Sequence, residues 1–199
     1  MESKLAKIVE RDLEEASRIF SAMVESTAMH QLIANAARSL ADTLEAGGKI
    51  LLAGNGGSAA DAQHIAAEFV NYFNFERPGL PAIALTTDSS ILTSISNDSD
   101  FERVFARQIQ AIGKPGDFFI AYSTSGTSQN IISAIDEAKK GGIKVLGLTG
   151  SSPGMMEHKC DFLFQTPSSS TARIQEGHLV IGHIISGIVE SLVFDSENH

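Results

Sequence analysis

Along this chain of 199 residues the apolar positions change their period once near residue 48. Over 3–28 and 31–46 they recur every three or four residues, the spacing of amphipathic helices, and Gly47-Gly48 ends the second where a left-handed cap costs least. From residue 49 onward short apolar runs take over, at 49–54 (KILLAG), 81–86 (PAIALT), 117–123 (DFFIAYS), 143–149 (IKVLGLT) and 161–166 (DFLFQT). Each has strand length and lacks the in–out alternation of a sheet with one wet face. Helix-period stretches separate them at about 57–73, 89–96, 101–112, 128–140 and 153–158, and a long apolar helix over about 171–194 closes the chain.

Buried strands alternating with helices predict an α/β fold, a doubly wound five-stranded parallel sheet flanked by helices, with extra N-terminal helices and a long C-terminal helix. A chain of this length buries roughly 70% of its unfolded surface without disulfide or metal. No repeat, low-complexity tract or linker divides it, so 1–199 reads as a single domain with 1–46 as an N-terminal helical extension. Ligands of such sheets lie beyond the carboxyl ends of the strands. Those ends are followed here by GNGGS, TTDSS, STSGTS and TGSSPG, three of which offer several hydroxyls.

Charge narrows the partners. A net charge of −9 and a pI near 5.1 oppose any broad grip on nucleic acid or on an anionic membrane. The single cysteine, Cys160, forms no internal disulfide, fits a reducing cytoplasm and reads as a small buried hydrophobe. The N-terminus, MESKLAKIVERDLEEA, lacks the apolar core of a signal peptide. Leu179–Phe194 carries His183, Ser186, Glu190 and Ser191 and is shorter than the roughly 20 residues a bilayer crossing needs. It reads as a helix buried against others, which points to association into a homo-oligomer.

Candidate chemistry concentrates in ILLAGNGGSAADAQHIAAEF, residues 50–69. A strand runs into the loop Gly54–Ser58 and then into a helix whose first N–H groups favour an anion. Deeper on that helix His64 and Glu68 stand four residues apart, sharing a face at about 40° separation. The pair suits a base, a metal-ligand pair or an ordinary surface ion pair. The segment Ser123–Ser128 also opens a helix, and its hydroxyls with the helix-start amides form a neutral cage for phosphate. Thr127 or Ser128 would equally serve as a plain helix cap. The chain has no P-loop signature, and its G-x-G-x-x-A match at Gly54–Ala59 lacks an acid at the spacing a dinucleotide site needs, since the next strand ends near Asp88. On the closing helix, His178 and His183 lie about 140° apart, so spacing leaves open which of them joins Gln175. A histidine flanked by Ile181, Ile184 and Ile185 is expected to be desolvated and neutral.

The strand order, AGNGGSAADAQHIAAEF, the pair Asn97-Asp98, STSGTSQN and RIQEGHLVIGH together resemble the sugar isomerase (SIS) domain of the bacterial phosphoheptose isomerases, over essentially the whole chain. The resemblance implies that Asn55, Gly56 and Gly57 touch the sugar, that Ser123, Thr124, Ser125 and Ser128 hold the phosphate, and that Asn97 and Asp98 line the sugar chain. It implies one Zn2+ per subunit on His64, Glu68, Gln175 and His183, with Glu68 and His183 as the acid/base pair and Glu68 and Gln175 also touching substrate. It thereby prefers His183 and leaves His178 to packing. Several members of the family carry an arginine one helical turn after the glutamate, where this chain has Tyr72.

The implied reaction is ketose–aldose isomerisation of D-sedoheptulose 7-phosphate to D-glycero-D-manno-heptose 7-phosphate through an enediol(ate), the first step of ADP/GDP-heptose precursor synthesis for lipopolysaccharide. The implied assembly is a cytoplasmic tetramer. Two alternatives share the fold: a non-catalytic regulator that binds the replication initiator DnaA, and an isomerase of another phosphosugar.

Overall fold

In the computed structural model, which describes residues 2–194, five strands form one parallel sheet in the order β2-β1-β3-β4-β5. They are β1 (Ile50–Ala53), β2 (Ala82–Ala84), β3 (Phe118–Tyr122), β4 (Lys144–Thr149) and β5 (Phe162–Gln165). All five expected strands are present and every neighbouring pair is parallel. The helices are α1 (Glu2–Glu25), α2 (Thr27–Glu45), α3 (Gly57–Val70), α4 (Ser89–Asp98), α5 (Val104–Ile112), α6 (Gln129–Lys140) and α7 (Thr171–Phe194).

The missing in–out alternation has its explanation in two cores. Ile50, Leu52, Phe118, Ile120, Tyr122, Leu146 and Leu148 point to α2, α3 and α7, while Leu51, Ala53, Phe119, Ala121 and Val145 point to α5 and α6. Side chains of a strand alternate between the faces, and both faces here are dry. The N-terminal region is divided in its role. Ile33, Ala36, Ala37, Leu40 and Leu44 of α2 are buried in the first core, so α2 is one wall of the domain. From α1 Ile19 and Met23 are buried in that core and Phe20 packs against it, whereas Leu5, Val9 and Leu13 stay 59–65% exposed.

Local chemistry moves several boundaries. Ser26 accepts a hydrogen bond from the Met29 N–H at 3.3 Å and so starts α2 earlier than the expected 31. Asp100 accepts from the Glu102 N–H at 2.8 Å, capping a 3-10 turn at Phe101–Arg103 that splits the expected helix 101–112. The helix expected at 153–158 is a 3-10 turn, Gly154–Met156, and α3 ends at Val70 rather than 73. Cys160 is half-buried, with its Sγ beside Gly147 of β4, and burial, reinforced by the charge of Asp161, pushes its thiol up to about 12.

The closing helix α7 is long and apolar enough, by length and composition, to cross a bilayer. Its surroundings are protein instead: it packs on α2 and α3, with His178, Ser186 and Glu190 buried along it. It meets α3 tightly at Gly182, where a Cβ would stand 2.5 Å from Ile65 Cδ1. Substituting Gly182→Val should therefore overpack the seam and destabilise the protein by about 1–3 kcal/mol. Urea denaturation reads this directly, and an unchanged midpoint would show that the two helices have slack there.

Candidate active site

The strand order changes direction between β1 and β3, and such a switch point opens a crevice beyond the carboxyl ends of those two strands. A cavity of about 310 Å³ lies there. The loop after β1 lines it with Asn55, Gly56, Gly57 and Ser58, and the end of β3 with Tyr122, Ser123, Thr124 and Ser128. Thr171 and Gln175 from the start of α7 close it. A hollow of about 450 Å³ between α4 and α5 is larger, but Ile83, Ile91, Ile95 and Ile112 dominate its wall and it gathers no hydroxyl or acid–base set.

The hydroxyl loop is held for something other than capping. Ser128 stands at the N-cap of α6 yet makes no side-chain cap bond, and its Oγ lies 2.9 Å from Ser123 Oγ. The helix start is left open toward the cavity, as at an anion site. Gly126 permits the turn: its φ is +66°, and any Cβ would lie 2.1 Å from the Pro153 carbonyl oxygen. Ser125 is turned away from the lining, exposed, and its Oγ accepts from the Thr127 N–H at 3.2 Å. Asn55 and Asn130 exchange amide hydrogen bonds at 2.9 and 2.8 Å, tying the β1 loop to α6 across the crevice.

Two helices lead away from this cavity side by side. Gln175 covers Gly57, where a Cβ would meet its amide at 2.6 Å, and its Nε2 lies 3.5 Å from Ser58 Oγ. Farther along the pair, His64 and His183 bring their Nε2 atoms to 3.1 Å, and Glu68 Oε1 is 3.1 Å from the same His64 nitrogen. One ligand atom from each of His64, Glu68 and His183 lies within 4.8 Å of the others. A tetrahedral zinc with bonds of about 2.0–2.1 Å sets its ligand atoms roughly 3.3 Å apart, so these residues fit such an ion. The chain therefore has a His/Glu/His group able to hold a metal. Gln175 stands eight residues before His183, about 12 Å back along α7, on the cavity wall.

His183 departs from the expected desolvation. It is half-buried, because the isoleucines around it point to other sides of the helix: Ile181 and Ile185 inward, Ile184 outward. The desolvated histidine is His178, fully buried, whose Nε2–H donates to the Thr149 carbonyl at 3.0 Å and whose burial lowers its pKa to about 4. Asn97 and Asp98 are exposed at the end of α4, with the Asn97 amide donating to the Asp98 carboxylate at 2.8 Å. They are not on the wall of the phosphate-type cavity; Asp98 lines another, with Arg103 and Arg107.

Sequence reasoning missed Asn130, Tyr122 and Asp61. Asn130 was legible only as part of STSGTSQN, since nothing in spacing reveals its partner 75 positions away. Asp61 lies three residues before His64, and its Oδ2 is buried without a hydrogen-bond partner among the described residues. Burial pushes this carboxyl up to about 6, against the pull of His64. Burial, with the charge of Asp61 behind it, raises the Tyr122 phenol in turn.

The SIS domain family profile matches residues 13–150. The phosphoheptose isomerase of Burkholderia pseudomallei is 50% identical over 197 residues, 99% of this chain and 100% of its own. The solved phosphoheptose isomerase of Neisseria gonorrhoeae superposes with a TM-score of 0.87 at 38% identity, over 94% of this chain and 99% of that one. That of Francisella tularensis gives 0.89 at 37%, over 94% and 98%.

Asp61 makes stability depend on pH. Its folded pKa of about 6 exceeds the ordinary 3.8, so between those values the folded chain holds more protons than the unfolded one and loses stability as pH rises. His178 has the opposite sign over an overlapping window, so each comparison is made against wild type at one pH. In metal-free protein, Asp61→Asn should gain little at about pH 4 and clearly more above about pH 7. Thermal unfolding at both values checks this; an equal difference at both would show that Asp61 is solvated.

Proposed function

The chain belongs to the phosphoheptose isomerase family of SIS-domain proteins, and from that premise we propose that it interconverts D-sedoheptulose 7-phosphate and D-glycero-D-manno-heptose 7-phosphate. The observation that carries this reading is the meeting of His64, Glu68 and His183, from two helices that both start at a hydroxyl-lined cavity. One end of the site suits a phosphate. The other suits a carbonyl and its neighbouring carbon.

Moving a proton between C1 and C2 through an enediol(ate) needs a base beside the carbon and a proton donor near the oxygens. Glu68 offers Oε1 toward the imidazoles, which leaves Oε2 for the carbon-bound proton. His183, half-exposed and close to Glu68, exchanges protons with the substrate oxygens. His64, Glu68 and His183, with Gln175 from farther back on α7, would hold zinc, which would supply positive charge to polarise those oxygens. Ser123, Thr124, Ser128 and the open start of α6 hold the phosphate, contributing position rather than reactivity, while Ser125 braces the loop through Thr127. Asn55, Gly56, Gly57 and Gln175 fix the sugar.

The DnaA-binding alternative is not favoured, since this chain keeps the whole acid/base and metal-type set and is 50% identical to a named isomerase over its full length. We place the protein in the cytoplasm, as one domain over 1–199, at the entry to heptose precursors of lipopolysaccharide. We also assign it a tetramer, since α1 leaves an apolar stripe of Leu5, Val9 and Leu13 uncovered and Ile184 is exposed beside His183.

Glu68→Gln and His183→Ala should each lower turnover of sedoheptulose 7-phosphate by at least about 10²-fold with circular dichroism unchanged. Retained turnover in either variant sinks the assigned roles, and full activity of chelator-stripped protein would reduce zinc to an occupant. Leu13→Glu should shift the protein to a smaller species by light scattering; an unaltered mass would free α1 of any part in assembly.

A further inference from the structure

Behind the metal-type group lies a fully buried ion pair that the reaction does not use. Glu190 on α7 is 0% exposed, and the Arg77 side chain, in the loop that follows α3, is 2% exposed. Glu190 Oε1 accepts from the Phe73 N–H at 2.8 Å and from Arg77 Nε at 3.1 Å, and Oε2 accepts from the Asn74 N–H at 2.6 Å. Burial raises the carboxyl, but these donors and the guanidinium charge outweigh it and hold the pKa below its ordinary value. Arg77 spends its remaining donors on the end of α3: Nη2 on the Glu68 carbonyl at 2.9 Å, and Nη1 on those of Phe69 at 2.7 Å, Asn71 at 2.9 Å and Pro78 at 3.0 Å.

Those contacts begin and end at the site. Glu190 is seven residues after His183 and shares its face of α7, while the Arg77 guanidinium grips the backbone of Glu68 itself. Phe73, whose N–H Glu190 holds, lays its ring against the His183 imidazole at 5.4 Å and 23°. The other neighbour of that imidazole is His64, at 5.0 Å and 59°. A buried ion pair is weak evidence for stability, since well-packed apolar residues of the same volume often do as well. What apolar residues would not do is fix four carbonyls, two N–H groups and one aromatic ring in a single arrangement.

We infer that Arg77, Glu190 and Phe73 are positioning residues, which set the imidazole plane of His183 and its distance from Glu68. The inference rests on the metal and acid/base reading of that group. Phe73 is the working face of the device, and Glu190 with Arg77 is its anchor. Residues that orient metal ligands typically alter metal affinity or activity by about 10–100-fold when replaced.

The test uses full-length protein and two variants, Phe73→Leu, which keeps apolar volume and loses the ring, and Glu190→Gln, which keeps shape and loses charge. Zinc affinity is measured by chelator competition, separately from turnover and from the melting temperature. Expected are a melting temperature for Phe73→Leu within a few degrees of wild type, KM within about twofold because the phosphate cage is untouched, and both kcat and zinc affinity down by about tenfold or more. Phe73→Tyr, which restores the stacked face, should recover both. A purely structural role would instead lower the melting temperature while each folded site keeps its kcat and zinc affinity, which overturns the inference. If Glu190→Gln fails to fold, the Phe73 pair of variants still decides. A wild type that binds zinc but does not turn over sedoheptulose 7-phosphate defeats the substrate assignment and leaves zinc affinity to judge the positioning; a wild type that binds none overturns the inference and leaves the substrate assignment to turnover.

Discussion

The contact between α3 and α7 is the constraint on which the candidate site depends. Each helix carries an incomplete set: His64 and Glu68 on one, His183 and Gln175 on the other. They become one site because the helices leave the same end of the sheet and stay in contact, Gln175 over Gly57, Gly182 against Ile65, His183 on His64, and Glu190 under Phe73. Glycine lets the backbones approach at two of those points, and a buried charge pair closes the far end. Displacement of either helix by an ångström would separate ligand atoms that now lie 3.1 Å apart.

The sheet supplies the other end. With β1 and β3 adjacent and their connections departing to opposite faces, the loops GNGGS and STSGTS are brought into one crevice, and the Asn55–Asn130 pair locks them there. The cavity is lined by hydroxyls and amides and by no lysine or arginine, so under the proposed function a phosphate would be held by dipoles within a chain of net charge −9. The metal-type group then stands about two helical turns farther along, a separation on the scale of an extended sugar phosphate.

Much of this was readable in the residues. Five apolar runs without alternation became five strands, the central β1 and β3 dry on both faces, and the two loops flanking the switch point were marked by glycine and hydroxyl content. The i,i+4 spacing of His64 and Glu68 predicts their shared face directly. Spacing could not choose between His178 and His183, because the choice depends on which face of α7 meets α3. For the same reason the isoleucines near His183 suggested a desolvation that belongs to His178. Asp61, Asn130 and the Arg77–Glu190 clamp were invisible, since their partners lie in other elements and only the packed chain pairs them. Boundaries shifted wherever one side chain, such as Ser26 or Asp100, satisfied a backbone donor that hydrophobic period does not register.

Cys160 completes the account from an unexpected side. It is the one sulfhydryl in the sequence, and with its ionisation pushed up to about 12 by burial, the neutral thiol prevails over the nucleophilic thiolate at neutral pH. Electrophiles that require a thiolate therefore find little of it on this protein. The His/Glu/His group is built from nitrogen and oxygen donors alone and so contains no thiolate that oxidation could remove.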